Sequence, residues 1–89
     1  MPEVSLKSLA GSDFWQAFNA LPPEIQSLAR KGFKLWQHNP SHPSLHFKRV
    51  GQYWSVRVGI AYRALALKQG DDFVWFWIGH HKDYERIIG

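Results

Sequence analysis

Side chains suited to RNA cleavage are concentrated in the second half of this sequence. They are Lys48, Arg49, Arg57, Arg63, His81, Lys82 and Tyr84. Cleavage of RNA by its own 2′-hydroxyl needs a group that takes the hydroxyl proton, a group that protonates the leaving 5′-oxygen, and cations that stabilise charge on the phosphate. Histidine suits proton transfer because it titrates near neutral pH, arginine suits phosphate, and tyrosine can stack on a base. These residue types therefore form a candidate site for metal-free phosphodiester chemistry.

Arg57 and Arg63 are expected to face each other on neighbouring strands. Apolar residues at 54, 56 and 58 alternate with polar ones, and the glycine at 59 favours a reversal centred near Ile60. Like charges directly opposite each other cost stability, so two facing arginines suit a protein in which they bind an anion such as phosphate. The alternative is that both are solvated or paired with carboxylates. The available carboxylates are Asp71, Asp72, Asp83 and Glu85.

The five histidines of the chain do not predict a metal site. Three of them are spaced four residues apart, but the prolines at 40 and 43 prevent a helix from aligning them as ligands. These three are His38, His42 and His46. His80 and His81 are adjacent, and on a strand they would point to opposite faces. For His81, the alternative to proton transfer is a strand-end histidine that hydrogen-bonds to the backbone.

Two helices that form a hairpin are predicted ahead of a sheet. Ser12-Asp13 offers an N-cap, and apolar residues then recur at helical spacing up to Leu21. Pro22-Pro23 ends this helix and a proline opens the second, which should stop near His38 because Asn39-Pro40 disfavours a helical residue before the proline. One face of the second helix is basic, and this face is either solvated or in contact with a partner. Its residues are Arg30, Lys31 and Lys34.

Four runs of residues predict the strands of the sheet. They span 45–50, 54–58, 62–67 and 73–78. Gly70-Asp71-Asp72 is a turn signal before the last run, so the last three strands form a meander. The tail after Gly79 is expected to form one or two helical turns. Near the N-terminus, three apolar residues are candidates for a short edge strand or an ordered arm. They are Val4, Leu6 and Leu9.

The composition is that of a single basic domain, residues 1–89. Eleven Lys and Arg against seven Asp and Glu give a formal net charge of +4 and a pI near 9.7, which favours a polyanionic partner, either nucleic acid or an acidic protein segment. The absence of cysteine excludes disulfides and thiolate metal sites. Because the sequence contains neither a long apolar stretch nor a signal-peptide pattern, we expect a soluble cytoplasmic protein without a membrane span.

Five segments resemble the RelE/ParE superfamily of type II toxin–antitoxin toxins. They are LPPEIQ at 21–26, NPSHPSLHFK at 39–48, WSVRVG at 54–59, YRAL at 62–65 and WFWIGHHKDY at 75–84. The similarity covers residues 12–88. Within the superfamily, the chain is more narrowly similar to short RelE-like proteins with a C-terminal G-[ST]-H-x-x-Y motif. It implies an α+β fold in which an N-terminal helical hairpin packs on a small twisted antiparallel sheet that is followed by a short C-terminal helix.

The resemblance also implies a bacterial toxin that cleaves mRNA in the ribosomal A site and is held inactive by a cognate antitoxin. Arg57 falls at a phosphate-binding arginine of RelE-like nucleases, His81 at the histidine of the motif and Tyr84 at the C-terminal tyrosine. Lys48 lies in the segment that supplies basic residues. This chain departs from the pattern where His80 replaces a small hydroxyl residue. The lysine-rich strand of the most active members is also reduced here to two basic residues.

The leading hypothesis is a ribosome-dependent mRNA endoribonuclease that inhibits translation and needs no metal or other cofactor. The expected catalytic residues are His81, Arg57, Arg63 and Tyr84, and the expected RNA-binding residues are Lys48, Arg49, Lys82 and His80. Two alternatives remain open. One is a non-catalytic ParE-like toxin that binds DNA gyrase through the basic second helix, and the other is an inactive domain that binds only an antitoxin or RNA. Because both activities occur on one fold, the fold does not decide the reaction.

Overall fold

The computed structural model describes residues 8–89, which form two helices, a sheet and a final helix. These residues contain five strands and three α-helices. Their bounds are β1 Ser8–Ala10, α1 Ser12–Asn19, α2 Pro23–His38, β2 Lys48–Val50, β3 Tyr53–Val58, β4 Tyr62–Gln69, β5 Asp72–His80 and α3 His81–Ile88. A 3₁₀ turn, Pro43–Leu45, connects α2 to β2. The predicted α+β class, with its helical hairpin and short C-terminal helix, is confirmed.

The sheet has the strand order β1-β5-β4-β3-β2. Strands β2 to β5 are antiparallel neighbours and include the predicted meander. Strand β1 pairs in parallel with β5, with Ser8 opposite Phe73. Leu9 therefore lies in an edge strand, as one reading of the N-terminal residues expected, while Val4 and Leu6 lie outside the described residues.

Two glycines set the register of the meander. Gly59 and Gly70 both have φ of +62°, a conformation that glycine adopts without steric cost. Gly59 opens the loop between β3 and β4, and Gly70 opens the loop between β4 and β5. The first reversal places Arg57 directly opposite Arg63, which confirms the predicted pairing.

Trp36 of α2 occupies the centre of the core and is 1% exposed. Its ring meets those of Phe47, Phe73 and Trp75 edge-on, at centroid distances of 5.6, 5.4 and 5.4 Å. Each such pair contributes about 0.5–1.5 kcal/mol beyond the area it buries. The other buried core residues are Phe18, Leu21, Ala29, Leu45, Val56, Val58, Ala64, Ala66 and Ile78. This core holds α1 and α2 against one face of the sheet.

The helix ends follow the sequence signals with one exception. The predicted N-cap at Ser12-Asp13 is wrong, because the capping residue of α1 is Gly11, whose carbonyl accepts from the Trp15 amide at 3.2 Å without any side-chain cap. Pro23 occupies the first turn of α2, and α2 ends at His38 as predicted. None of the helices in the described part of the chain has the length and apolar character of a membrane span.

The opposite face of the sheet has a buried position of its own at Leu65. Its neighbours Ala64 and Ala66 point into the core, so the Leu65 side chain points to the other face of the sheet. Leu65 is nevertheless 0% exposed. A β-bulge lies beside it, because Leu65 pairs with Trp77 and the next residue pairs with Trp75, which leaves Phe76 without a partner. The extra residue reverses the alternation of β5, so Ile78 joins Trp75 in the same core.

Leu65→Ala is expected to lower the free energy of unfolding by about 2–5 kcal/mol, because the truncation leaves a cavity at a fully buried position. Urea unfolding followed by tryptophan fluorescence measures this change. Ile60→Ala is the matched control, since Ile60 is 82% exposed and its loss should change stability by no more than about 0.5 kcal/mol. Similar effects of the two substitutions would contradict the packing of this face.

Candidate functional site

A polar pocket of about 140 Å³ lies on the face of the sheet opposite α1 and α2. Val56 and Val58 of β3 point into the core, so Ser55 and Arg57 lie on the other side of the same strand. Ser55 is the only buried polar residue in the described part of the chain and is 2% exposed. The residues that line the pocket are His46, Lys48, Ser55, Arg57, Arg63 and Tyr84.

The two facing arginines are held by backbone carbonyls. Arg57 Nε donates to Gly59 O at 3.0 Å, and Arg63 Nη1 donates to Tyr62 O at 2.8 Å and to Ile60 O at 3.3 Å. Within residues 8–89 neither guanidinium pairs with a carboxylate, because Asp83 and Glu85 face Arg86 and His81 instead. Pairing of these arginines with carboxylates is therefore not the arrangement adopted, and both guanidinium groups are open to solvent or to an anion.

His46 completes this pocket, and the sequence hypotheses did not include it. It follows the 3₁₀ turn, whose Leu45 is buried, and its backbone has φ of +46°. The Arg57 Nη1 atom lies 3.3 Å from His46 Nε2, and because a guanidinium only donates, Nε2 is the acceptor. The four-residue spacing of His46 from His42 is typical of metal ligands on a helix. Its place two residues before Lys48 is the sequence feature that indicates a position beside the pocket.

The two basic residues of β2 separate because a strand alternates its faces. Lys48 pairs with Ser55 across the strands and lines the pocket, while Arg49 does not line it. Arg49 Nε donates instead to Gly51 O at 3.0 Å. Only the first of these two predicted RNA-binding residues therefore belongs to the pocket.

The start of α3 brings Tyr84 to the pocket but not the residues before it. His80 caps the helix, with its Nδ1 accepting from the Lys82 amide at 3.2 Å. The His81 amide donates to Ala61 O at 2.7 Å, and its Nδ1 lies 3.8 Å from a carboxylate one turn along α3. Among the residues of this segment, His80, His81 and Lys82 do not line the pocket.

The expectation that His80 and His81 point to opposite faces is wrong. Their ring centroids lie 4.5 Å apart with the planes tilted by 31°. The reason is that β5 ends at His80 and His81 already belongs to α3, so the alternation of a strand does not extend across the pair. Within residues 8–89, no three His, Cys, Asp or Glu side chains come close enough together to hold a metal ion.

A second, larger groove of about 390 Å³ lies on the helix side of the sheet, between α1, α2 and the strands. Its walls are apolar except for Arg30 and Arg57. Trp15 and Phe33 border it and are 48% and 39% exposed. The remaining lining residues are Ala10, Phe14, Phe18, Ala29, Gly32, Trp36, Val56, Val58, Ala64, Trp75 and Ile78.

Two buried donors in the walls of this groove have no partner. In the described residues, the indole Nε1 atoms of Trp36 and Trp75 form no hydrogen bond. A buried polar group without a hydrogen-bond partner lowers the free energy of unfolding, and such groups are rare in native proteins. Arg30 also forms no ion pair within residues 8–89 and lies 5.0 Å from the ring centre of Phe18. The groove thus combines exposed aromatic surface with an arginine that has no ion-pair partner within residues 8–89.

The family of the chain follows from a match over most of its length. Residues 23–86 match the family model of the ParE-like toxin domain. The chain belongs to the ParE-like toxin domain family. This confirms the RelE/ParE superfamily that the five sequence segments resemble. All six pocket residues lie inside the matched range, whereas β1 and α1 of this toxin domain lie outside it.

Solved toxin–antitoxin structures share the fold. A chain of the RelB–RelE antitoxin–toxin complex from Methanococcus jannaschii superposes with a TM-score of 0.71 and 20% identity, over 91% of this toxin domain and 99% of that chain. A chain of the RelBE2 complex from Mycobacterium tuberculosis gives 0.66 and 20%, over 86% and 99%. A mutant of E. coli toxin RelE in the free state gives 0.68 and 8%, over 92% and 90%. No curated protein matches the sequence.

Inorganic phosphate is expected to stabilise this toxin domain, because the pocket holds three cationic side chains and, within residues 8–89, no carboxylate. At ten times its Kd, phosphate would add roughly 1.4 kcal/mol and raise Tm by roughly 5–10 °C. Differential scanning fluorimetry measures the shift, with chloride at equal ionic strength as the salt control. Arg63→Gln should lose the shift, while Lys31→Gln, the same charge change on α2, should keep it. Equal shifts in both variants would contradict an anion site in this pocket.

Proposed function

We propose that this protein is the toxin of a type II toxin–antitoxin system and acts as a metal-independent, ribosome-dependent mRNA endoribonuclease. The observation that carries the proposal is the polar pocket, where Lys48, Arg57, Arg63 and Tyr84 meet. Four of the eight residues expected from the sequence converge there from β2, β3, β4 and α3. Membership of a toxin domain family supports the broader role, since the pocket lies inside the matched residues.

The pocket suits the chemistry of a phosphodiester. Arg57 and Arg63 face each other with no carboxylate partner in residues 8–89, so together they can bind the scissile phosphate. Lys48 adds a cation for the RNA backbone, and Tyr84 offers a ring on which a base can stack. The volume of about 140 Å³ is smaller than the roughly 300–1,000 Å³ of sites that enclose a drug-sized ligand. A phosphate with part of its ribose fits this size better than a whole nucleotide does.

Purified protein added to a reconstituted translation reaction is expected to cut mRNA at the A-site codon only when ribosomes are present. Mapping of mRNA 5′ ends measures the cuts. Arg57→Ala and Arg63→Ala should each lower the cleavage rate about 10²- to 10³-fold, because each removes a cation that stabilises charge on the phosphate. Lys31→Ala, on the exposed side of α2, is the matched control and should cleave normally.

Intact mRNA with folded protein would contradict the nuclease. Accumulated cleaved-DNA complexes in a gyrase assay would then support the ParE-like alternative, in which the basic face of α2 binds gyrase. Harmless overexpression together with intact DNA would support a domain that binds only an antitoxin or RNA. These outcomes separate the three functions, because the first predicts cut mRNA, the second predicts cleaved DNA and the third predicts damage to neither.

We further propose that a cognate antitoxin binds in the apolar groove. The chains similar to this toxin domain come from toxin–antitoxin complexes of Methanococcus jannaschii and Mycobacterium tuberculosis, which motivates this class of partner. The exposed rings of Trp15 and Phe33 would be covered by apolar side chains of the antitoxin. Arg30 favours a carboxylate of the antitoxin beside those apolar anchors.

Trp15→Ala is expected to weaken antitoxin binding at least tenfold, about 1.4 kcal/mol, because it removes an exposed aromatic anchor of the groove. Arg30→Glu should weaken it further by repelling an acidic segment. The antitoxin is identified as the protein whose co-expression restores growth of cells that express the toxin. Isothermal titration calorimetry of that antitoxin with the toxin variants measures both effects. Ile60→Ala is the control, since Ile60 is exposed outside the groove. Unchanged affinity in both groove variants would move the antitoxin to another surface.

A further inference from the structure

We propose that His46 takes the proton of the attacking 2′-hydroxyl, in the role that the sequence motif assigned to His81. This inference rests on the proposed nuclease function and names a catalytic residue within it. His46 is the only histidine among the pocket-lining residues of the described chain, and it lies beside both a phosphate-binding arginine and Lys48. A proton-transfer group must reach the atom from which it takes the proton, so position in the pocket is the first requirement.

The other four histidines are used to support the backbone or lie outside the pocket. His38 Nδ1 lies 2.8 Å from Lys34 O at the end of α2. His42 caps the 3₁₀ turn, where its Nδ1 accepts from the Ser44 amide at 3.2 Å. His80 caps α3 through its own Nδ1, and the His81 ring lies near Glu85. His46 differs because its side-chain contact is with a functional side chain, Arg57.

The contact with Arg57 favours one tautomer of the neutral His46 ring. A guanidinium carries five N–H donors and no acceptor, so the Nε2 atom that faces Arg57 Nη1 at 3.3 Å must present its lone pair. In the neutral imidazole the proton is then on Nδ1. The Nε2 lone pair of this tautomer is therefore directed at Arg57, one of the two facing arginines of the pocket.

The backbone of His46 is also unusual for a residue with a side chain. Its φ of +46° lies in the left-handed region, which histidine, asparagine and aspartate enter more often than most other residues with a side chain, and it caps the C-terminal end of the 3₁₀ turn. The buried Leu45 and the hydrogen bond from the His46 amide to Pro43 O, at 3.3 Å, hold it there. This backbone conformation places the His46 side chain among the residues that line the pocket.

Cleavage in this scheme moves two protons, one to His46 and one from Lys48. When the scissile phosphate binds Arg57, that guanidinium turns to the phosphate oxygens and releases His46 Nε2. The 2′-oxygen forms its bond to phosphorus, its proton passes to His46 Nε2, and the bond between phosphorus and the 5′-oxygen breaks. The leaving 5′-oxygen takes a proton from the Lys48 ammonium. The products are a 2′,3′-cyclic phosphate and a 5′-hydroxyl, and both side chains recover their starting protonation by exchange with water.

The test compares His46→Asn with the unaltered protein in the ribosome reaction. Asparagine tolerates the left-handed backbone and keeps a neutral polar side chain at this position, but it cannot take up the proton. The expected result is a loss of about 10²- to 10⁴-fold in the single-turnover cleavage rate, with unchanged Tm and unchanged phosphate binding. The residual rate should also no longer show the rise with pH that a histidine base produces. His38→Ala, at the far end of α2, is the control that should keep full activity.

Several outcomes would overturn the inference. His46→Asn cleaving at the normal rate, with the same pH profile, would exclude His46 as the base. A large loss in His81→Ala together with normal cleavage in His46→Asn would return the role to His81. If the unaltered protein makes no cuts, the nuclease function itself fails and this role fails with it, so the two failures are distinguished by the unaltered protein alone.

Discussion

The pairing of β3 with β4 is the constraint on which both the core and the candidate site depend. On one side of this pair Val56 lies opposite Ala64 inside the core, and on the other Arg57 lies opposite Arg63. Two like charges across strands cost up to about 1 kcal/mol. Burial of one valine contributes about 1.5–3 kcal/mol, and a slip of one residue by either strand would turn the arginine of that strand into the core. The apolar side therefore maintains a charged arrangement that would not persist alone.

Because one strand pair serves both faces, the two cavities lie back to back. Val56 and Val58 line the apolar groove, whereas Ser55 lines the polar pocket, and Arg57 borders both. An antitoxin that filled only the groove would leave the pocket open to RNA. To block cleavage directly, its chain would have to continue past the edge of the sheet, where β2 covers only three residues of β3. Docking and inhibition would then be carried by different parts of one partner.

Departures from local rules are concentrated at these two surfaces. His46 adopts a left-handed backbone beside the pocket, and Trp36 and Trp75 leave buried indole N–H groups unpaired at the groove. In the scaffold, by contrast, Pro23 stands where a helix starts and Gly59 where a turn needs positive φ. Natural proteins commonly depart from such rules where they bind or react, because function then compensates for the lost stability. This distribution supports both surfaces as functional, independently of the family.

The sequence by itself determined the helical hairpin, the glycine turns and the facing of Arg57 and Arg63, because proline, glycine and alternation act through local backbone geometry. It could not determine which histidine reaches the arginines. His81 carries the motif, but β5 ends one residue earlier and α3 turns its ring toward Glu85, while His46 enters from the loop before β2. Only the tertiary structure decided this choice, along with the parallel pairing of β1 and the bulge at Phe76, because each depends on contacts between separate segments of the chain.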